Sequence, residues 1–292
     1  MREVMVVSKA AIERVVETFR AATNANRNTS SRAGNIVEIS PAEADDILIS
    51  ADLHGCRRNF DKILSIAELD AHPRRQLIMQ EVCHGGPTYP GGGCMSHTLL
   101  EDVAQLKVDY GDRFHFILAN HELSELTDFP IMKSGRMLNL LFRCGLQEIY
   151  GDNSDRVREA YQEFIRSCPL AVRLSGGVFV SHSAPAGVDR SVYDDTVFGR
   201  ELRQADLEEP GPVFQLVWGR DFRQENARRF AEMVGARVLI HGHEPCESGF
   251  DRPNDFQLIV DSQGDRGSYL LIAPDDGRTP QELVGAIRRI NE

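Results

Sequence analysis

The chain has 292 residues, 41% hydrophobic and 26% charged, with a formal net charge of -11. This composition excludes disordered and fibrous classes, and the acidic balance argues against a nucleic-acid partner, whose phosphates need clustered Lys and Arg. No apolar stretch approaches the roughly 20 residues of a membrane span, and Met1 to Val7 lack the apolar core and cleavage site of a secretory signal. A cytoplasmic protein without a membrane partner is expected, and its six cysteines, with no C-x-x-C pair, read as reduced thiols.

Ser8 to Ala22 places Ile12, Val15, Val16 and Phe19 at helical spacing, with Ser8 as N-cap. The following stretch, 23–35, is rich in Asn, Arg and Ser and reads as a mobile linker. The expected division is therefore an N-terminal helix and polar linker over 1–35 and a catalytic domain over 36–292. Within that domain, Ile47-Leu48-Ile49 reads as a strand running into Asp52-Leu53-His54-Gly55, and Asn59 to Leu69 as a helix. Leu77-Ile78-Met79 runs into Glu81, and Gly85-Gly86-Pro87 with Pro90 to Gly93 forms an irregular loop. That loop lacks the G-K-[ST] ending of a nucleotide P-loop. After a helix over Thr98 to Val108, Phe114 to Leu118 leads into Asn120-His121-Glu122, and residues near 131–167 read as a helical insertion. Strands return at Leu170 to Leu174, Val178 to Val180 before His182, Val238 to Ile240 before His241-Gly242-His243, Phe256 to Val260 and Ser268 to Ile272. A terminal helix is expected over Pro280 to Ile290, with Pro near its first position.

Alternating strands and helices indicate an α/β protein, and α/β sheets place ligand sites beyond the carboxyl ends of their strands. Five of the apolar runs end in residues that ligate metals, so those ends converge on one site. Carboxylates, imidazoles and one amide form a hard-to-borderline set suited to Mn, Fe or Zn. Two divalent ions about 4 Å apart can clamp a phosphoryl group and activate water, and they need a shared carboxylate. The candidates are Asp52 and His54 on one ion, Glu81 between the ions, and Asn120, His182 and His243 on the other. His121, unligated beside Asn120, would then be the general acid for the leaving oxygen. His72, His97 and His115 read as structural, and Cys56, Cys83 and Cys246 as packing.

With these residues in order, the chain resembles the serine/threonine protein phosphatase branch of the calcineurin-like metallophosphoesterases over Ile47 to Ile272. The family's G-D-x-H-G appears as Ala51-Asp52-Leu53-His54-Gly55, its G-N-H-E as Ala119-Asn120-His121-Glu122, and its H-G-G histidine as His182. Its late histidine appears as His243. The resemblance implies an α/β/β/α sandwich of two mixed sheets flanked by helices, two divalent metal ions (Mn²⁺, with Fe or Zn as alternatives), and hydrolysis of phosphate monoesters. Where the family has G-D-x-x-D-R-G, this chain has Gln80-Glu81-Val82-Cys83-His84-Gly85-Gly86. Glu81 keeps a carboxylate at the bridging position, His84 replaces an aspartate that orients the acid histidine, and Gly85 replaces an arginine that grips phosphate. Arg57, Arg58 and Arg220 are candidate clamps in its place, by the bidentate geometry of guanidinium. His241 is a candidate second-layer partner, phosphate contact or, by analogy with phosphodiesterases bearing G-H-x-H, ligand for the first ion, in a register that favours a non-ligand role. The expected partner is a phosphorylated substrate, a phosphoprotein or a small phosphoester. Alternatives are a diadenosine tetraphosphatase or phosphodiesterase of the same fold, or a catalytically weak relative that binds phosphate or a partner.

Overall fold

A computed structural model describes residues 7–292; residues 1–6, where no secretory signal is expected, lie outside the described residues. The chain begins with α1 (Lys9–Arg27), β1 (Arg32–Ala33), β2 (Ile36–Ile39), β3 (Asp46–Ile49), α2 (Arg57–Ala67) and β4 (Arg75–Gln80). It continues with α3 (His97–Tyr110), β5 (Phe114–Ile117), α4 (Asn120–Thr127), β6 (Met132–Lys133), β7 (Arg136–Met137), α5 (Leu138–Tyr150) and α6 (Ser154–Ser167). Then come β8 (Ala171–Leu174), β9 (Val178–Ser181), α7 (Gln204–Leu207), α8 (Pro212–Trp218), α9 (Gln224–Met233) and β10 (Val238–His241). The last elements are β11 (Phe250–Asp251), β12 (Gln257–Val260), β13 (Ser268–Ile272), α10 (Pro280–Leu283) and β14 (Ile287–Arg289).

Period-two burial explains the layering, because successive strand side chains point to opposite faces. Ile47, Ile49, Ile78 and Ile117 from one sheet meet Val172, Val178, Val180, Val238, Ile240 and Leu258 from the other in a single apolar layer. The alternate residues, among them Leu48, Leu77, Met79, Phe116, Phe179 and Leu239, face outward into the helical layers. Phe116 stacks on Phe164 of α6, and Phe179 meets Phe230 of α9 edge-on. The result is an α/β/β/α sandwich with sheet orders β1-β2-β8-β9-β10-β12-β11 and β14-β13-β3-β4-β5. Both sheets are mixed. The strands β3, β4 and β5 run parallel, as do β9, β10 and β12, while β13 is antiparallel to β3 and β8 to β9. Burial on both faces is what parallel strands require.

Three expectations change here. The stretch 23–35 is not a mobile linker. Helix α1 runs on to Arg27, and Thr23, Asn26 and Thr29 are buried. Their polar groups find partners: Asn26 Nδ2 donates to Ser167 Oγ at 2.9 Å, Lys107 Nζ to Thr29 Oγ1 at 2.9 Å, and Arg32 to the Ser167 carbonyl at 2.6 Å. Buried polar groups are tolerated when so satisfied, which composition cannot reveal. The expected helix over 280–290 ends at Leu283, because Gly285 weakens it and the edge of β13 offers unpaired backbone groups that Ile287 to Arg289 take up. Before the helices of the 131–167 region, β6 and β7 form a hairpin whose turn residues, Ser134 and Gly135, both have positive φ.

Helix α1 packs against α3 and α6. Phe19 is fully buried there, its ring centroid 4.3 Å from that of Tyr161 and 5.5 Å from that of Phe164. Phe19→Ala is expected to lower unfolding free energy by about 3–5 kcal/mol, measured by denaturant titration; a loss below about 1 kcal/mol would mean that α1 is peripheral to the fold.

Candidate metal centre and active site

Asp52 follows β3, Glu81 follows β4, Asn120 opens α4, His182 follows β9, and His243 follows β10. Leaving a strand and turning a side chain back over the sheet end requires an abrupt change of backbone direction. His54, Glu81, His84 and His243 achieve it at φ of 43°, 45°, 62° and 69°. Non-glycine residues pay for this left-handed region, and such strain collects at functional sites. Glu122 holds the turn after β4: its Oε1 accepts from the backbone N–H groups of Val82 (3.0 Å) and Cys83 (2.8 Å).

Two groups of ligand atoms form, each lying within 4.8 Å: His54, Glu81 and His121, and Asp52, Glu81 and His182. Glu81 belongs to both. The partition differs from the sequence expectation in that Asp52 groups with His182 and His121 with His54. Glu81 Oε2 lies 3.5 Å from His54 Nε2 and 3.6 Å from His182 Nε2, and Oε1 lies 3.9 Å from His121 Nε2. Asn120 Oδ1 is 2.7 Å from His182 Nε2 and 3.1 Å from His243 Nδ1, so these three complete the second group. Gly242 makes this approach possible, because a Cβ there would lie 2.2 Å from Asp52 Oδ1.

Neighbouring acceptors set the ring tautomers. His182 Nδ1–H donates to Gln80 Oε1 at 2.8 Å and His54 Nδ1–H to the Cys83 carbonyl at 3.3 Å, which leaves both Nε2 lone pairs facing Glu81. A second hydrogen bond of this kind orients a metal-ligating imidazole. Burial holds His121 and His182 well below the usual histidine range, helped by neighbouring imidazoles, and lowers His243 to about 3 with Arg220 contributing, so these rings are neutral. Burial first, and then Asp52, raises the Glu81 carboxyl well above its ordinary value. Asp52, Glu81 and Glu122 are all buried, and among the described residues none has a Lys or Arg ion-pair partner. Asp52 Oδ1 is buried without a hydrogen-bond partner. Carboxylates, neutral imidazole lone pairs and an amide oxygen in a site short of positive charge fit a divalent metal.

The candidate phosphate clamps are engaged elsewhere. Arg57 pairs with Asp102 and donates to Thr98 Oγ1 at 3.1 Å, and Arg58 donates to Asp265 at 2.6 Å, although both line an open depression with His54 and Asp261. Arg220 donates to Glu244 at 2.6 Å, with a second nitrogen 3.5 Å from the carbonyl oxygen of His243. His241 falls in neither group. Its Nδ1 donates to the Ser181 carbonyl at 3.1 Å, and burial lowers it to about 4. Gly85 sits at φ +136°, where a Cβ would lie 2.4 Å from the His54 carbonyl oxygen, so an arginine cannot occupy this backbone. Sequence reasoning missed Gln80, Glu122 and Glu125. The first two adjoin motif residues, a usable signal, whereas Glu125 carries none.

Residues 46–247 match the calcineurin-like phosphoesterase family. The chain belongs to that family. A probable serine/threonine-protein phosphatase of Encephalitozoon cuniculi is 24% identical over 260 residues, covering 81% of this chain and 52% of the relative. The chain thus spans about half the length of that curated relative. Among solved structures, a Saccharomyces cerevisiae protein serine/threonine phosphatase with similarity to human phosphatase PP5 superposes with TM-score 0.68 at 16% identity, over 90% of this chain and 83% of that one. A cold-active protein-tyrosine phosphatase of a psychrophilic Shewanella species gives TM-score 0.53 at 15% identity, over 86% and 80%. These likenesses establish the sandwich fold. The ligand groups lie on the strand ends that this fold directs to its site. Among the described residues no helix is long and apolar enough to cross a membrane.

Two outcomes are expected for this calcineurin-like phosphoesterase. Gln80→Ala frees the His182 ring and weakens metal affinity by about 10–100-fold, read by competition with a fluorescent chelator; unchanged affinity would show that Gln80 plays no part in orienting the ring. Gly85→Arg lowers the melting temperature instead of improving phosphate binding, as thermal unfolding with and without inorganic phosphate would report.

Proposed function

We propose that the chain hydrolyses phosphate monoesters, with phosphoserine or phosphothreonine side chains of proteins as the substrate class, in the cytoplasm. Two divalent ions, Mn²⁺ with Fe or Zn as alternatives, would be held by Asp52, His54, Glu81, Asn120, His182 and His243. The observation that carries this reading is the buried Glu81 carboxylate, common to two groups of ligand atoms. The serine/threonine assignment draws on the printed name of the Encephalitozoon relative and on the motif order.

When bound, such ions clamp phosphoryl oxygens and activate water. The protein supplies the rest. The Glu122 carboxylate fixes the turn that carries Glu81, and Gln80 and the Cys83 carbonyl hold the imidazoles of His182 and His54 in their ligating tautomers. His121, with Nε2 on the Glu81 side of the site, would protonate the leaving oxygen. Arg220, beside the His243 carbonyl, would be a guanidinium for phosphate, with Arg57 and Arg58, which share a depression with His54, and His241 as further candidates.

The deciding experiment measures metal content by elemental analysis beside hydrolysis of an aryl phosphate, a phosphopeptide and a dinucleoside tetraphosphate, in wild type and Glu81→Ala. About two metals per chain, with phosphopeptide turnover that falls at least about 100-fold in the variant, is the expected result. Unchanged turnover in Glu81→Ala would sink the site, and preferential cleavage of the dinucleotide would transfer the assignment to a tetraphosphatase. Metal-free protein that binds phosphopeptide without turnover would mark a binding relative.

A further inference from the structure

The aspartate expected to orient the acid histidine is absent, and its position is occupied by His84. His84 Nδ1 lies 3.1 Å from His121 Nδ1, and His84 Nε2 lies 2.9 Å from Glu125 Oε1. The His84 and Glu125 side chains are 0% and 2% exposed, so water does not compete for these contacts. Glu125 is fixed in turn. Its Oε1 accepts from Asn139 Nδ2 at 3.1 Å, its backbone carbonyl accepts from Gln162 at 2.9 Å and Arg158 at 3.2 Å, and Arg158 Nε lies 3.9 Å from Oε2. The ring of Phe142 meets His84 edge-on at 5.5 Å and limits its rotation.

The geometry points to a buried chain Glu125–His84–His121 in which His84 and Glu125 are positioning residues for the general acid; this rests on the proposed phosphomonoesterase reading. The order of the hydrogen bonds settles where the protons sit. A carboxylate oxygen only accepts, so the proton of neutral His84 is on Nε2. His84 Nδ1 is then an acceptor, and the donor opposite it is His121 Nδ1–H. His121 is thereby held with Nε2 turned toward the substrate side, and Nε2 is where it carries the proton that it donates. In the acid step the bond between phosphorus and the leaving oxygen breaks with its electron pair on that oxygen, which takes the Nε2 proton. Water supplies the hydroxyl that remains on phosphorus and gives up its other proton to solvent. His121 ends neutral with Nδ1–H still on His84. His121, neutral at rest, takes up its Nε2 proton from solvent before this step, and Glu125 acting through His84 fixes the ring, as a buried carboxylate orients the histidine of a catalytic triad. A longer two-residue arm thus does the work of a single carboxylate. His84 is held at φ 62°, a region that Asp also tolerates, so the simpler arrangement can be rebuilt.

The test compares wild type, His84→Ala, Glu125→Gln and the double variant His84→Asp/Glu125→Gln, which removes the carboxylate that would face the new aspartate. Each is assayed on an aryl phosphate with a good leaving group, 4-nitrophenyl phosphate, and on an alkyl phosphate with a poor one. General acid catalysis is worth about 10²–10⁴-fold where the leaving group needs a proton. His84→Ala is therefore expected to lose at least about 100-fold on the alkyl ester and under tenfold on the nitrophenyl ester, with a smaller, same-direction split in Glu125→Gln. The double variant should recover most of the alkyl activity. In parallel, long-range ¹H–¹⁵N spectra of the imidazoles in metal-free protein are expected to place the His121 proton on Nδ1 in wild type and to lose that preference in His84→Ala. Equal losses on both esters in folded variants, or a His121 tautomer indifferent to His84, would overturn the inference. If wild type hydrolyses neither ester, the phosphomonoesterase reading fails, while the imidazole spectra still decide whether the chain orients His121.

Discussion

The site depends on one seam, where the carboxyl end of β3 in one sheet is tied to the ends of β10 and β12 in the other. Asp52 Oδ2 accepts the backbone N–H of His243 at 2.8 Å, the Ala51 N–H donates to Ser262 Oγ at 2.9 Å, and Asp52 pairs with Asp261 as an isolated parallel bridge. The apolar layer between the sheets is by itself indifferent to small sliding motions. Hydrogen bonds are directional, so they fix the register in which Asp52, Glu81, His182 and His243 meet. Gly242 is the condition for that closeness, since any side chain there would collide with Asp52.

What the seam gathers is electrostatically unbalanced. Buried carboxylates repel one another and have lost their water, which is the cause of the upward shift at Glu81. The imidazoles around them are neutral for the same reason, burial opposing the charged ring. A cluster of lone pairs without fixed cations is costly in isolation and suited to a divalent ion. The left-handed backbone at His54, Glu81 and His243 is a further cost borne at this place. Both are offset by the apolar layer between the sheets and the helices packed outside it, which supply the hydrophobic stabilisation that lets a strained, polar centre persist.

The departures from the family's second motif are coupled in space. With Gly85 packed against the His54 carbonyl, the turn after β4 has no room for an arginine, and the same turn carries His84 inward to meet His121 and Glu125. Gln80, one residue before Glu81, takes the Nδ1 proton of His182. The altered stretch therefore forms its own set of supports around the ligand groups, and Arg220 lies at the His243 carbonyl.

By itself the sequence determined the buried strands that carry the site and the residues at their ends. Apolar runs such as Val178 to Val180 and Val238 to Ile240 are local signals of burial, and the residue that follows a buried strand is placed by chain geometry alone. For that reason Asp52, Glu81, Asn120, His182 and His243 were legible as a group before any fold was known. Only the tertiary structure decided which side chains support them. Gln80 and His182, or His84 and Glu125, are brought together by packing between elements far apart in the chain, and a single sequence carries no record of such pairings. Asn26 and Thr29 gave the same false impression for the same reason: polar residues look unsuited to a core until their partners on α6 and α3 arrive. At the far end, Ile287 to Arg289 have the spacing of a helix, yet the free edge of β13 provides backbone partners that a frayed helix end lacks, and the strand wins.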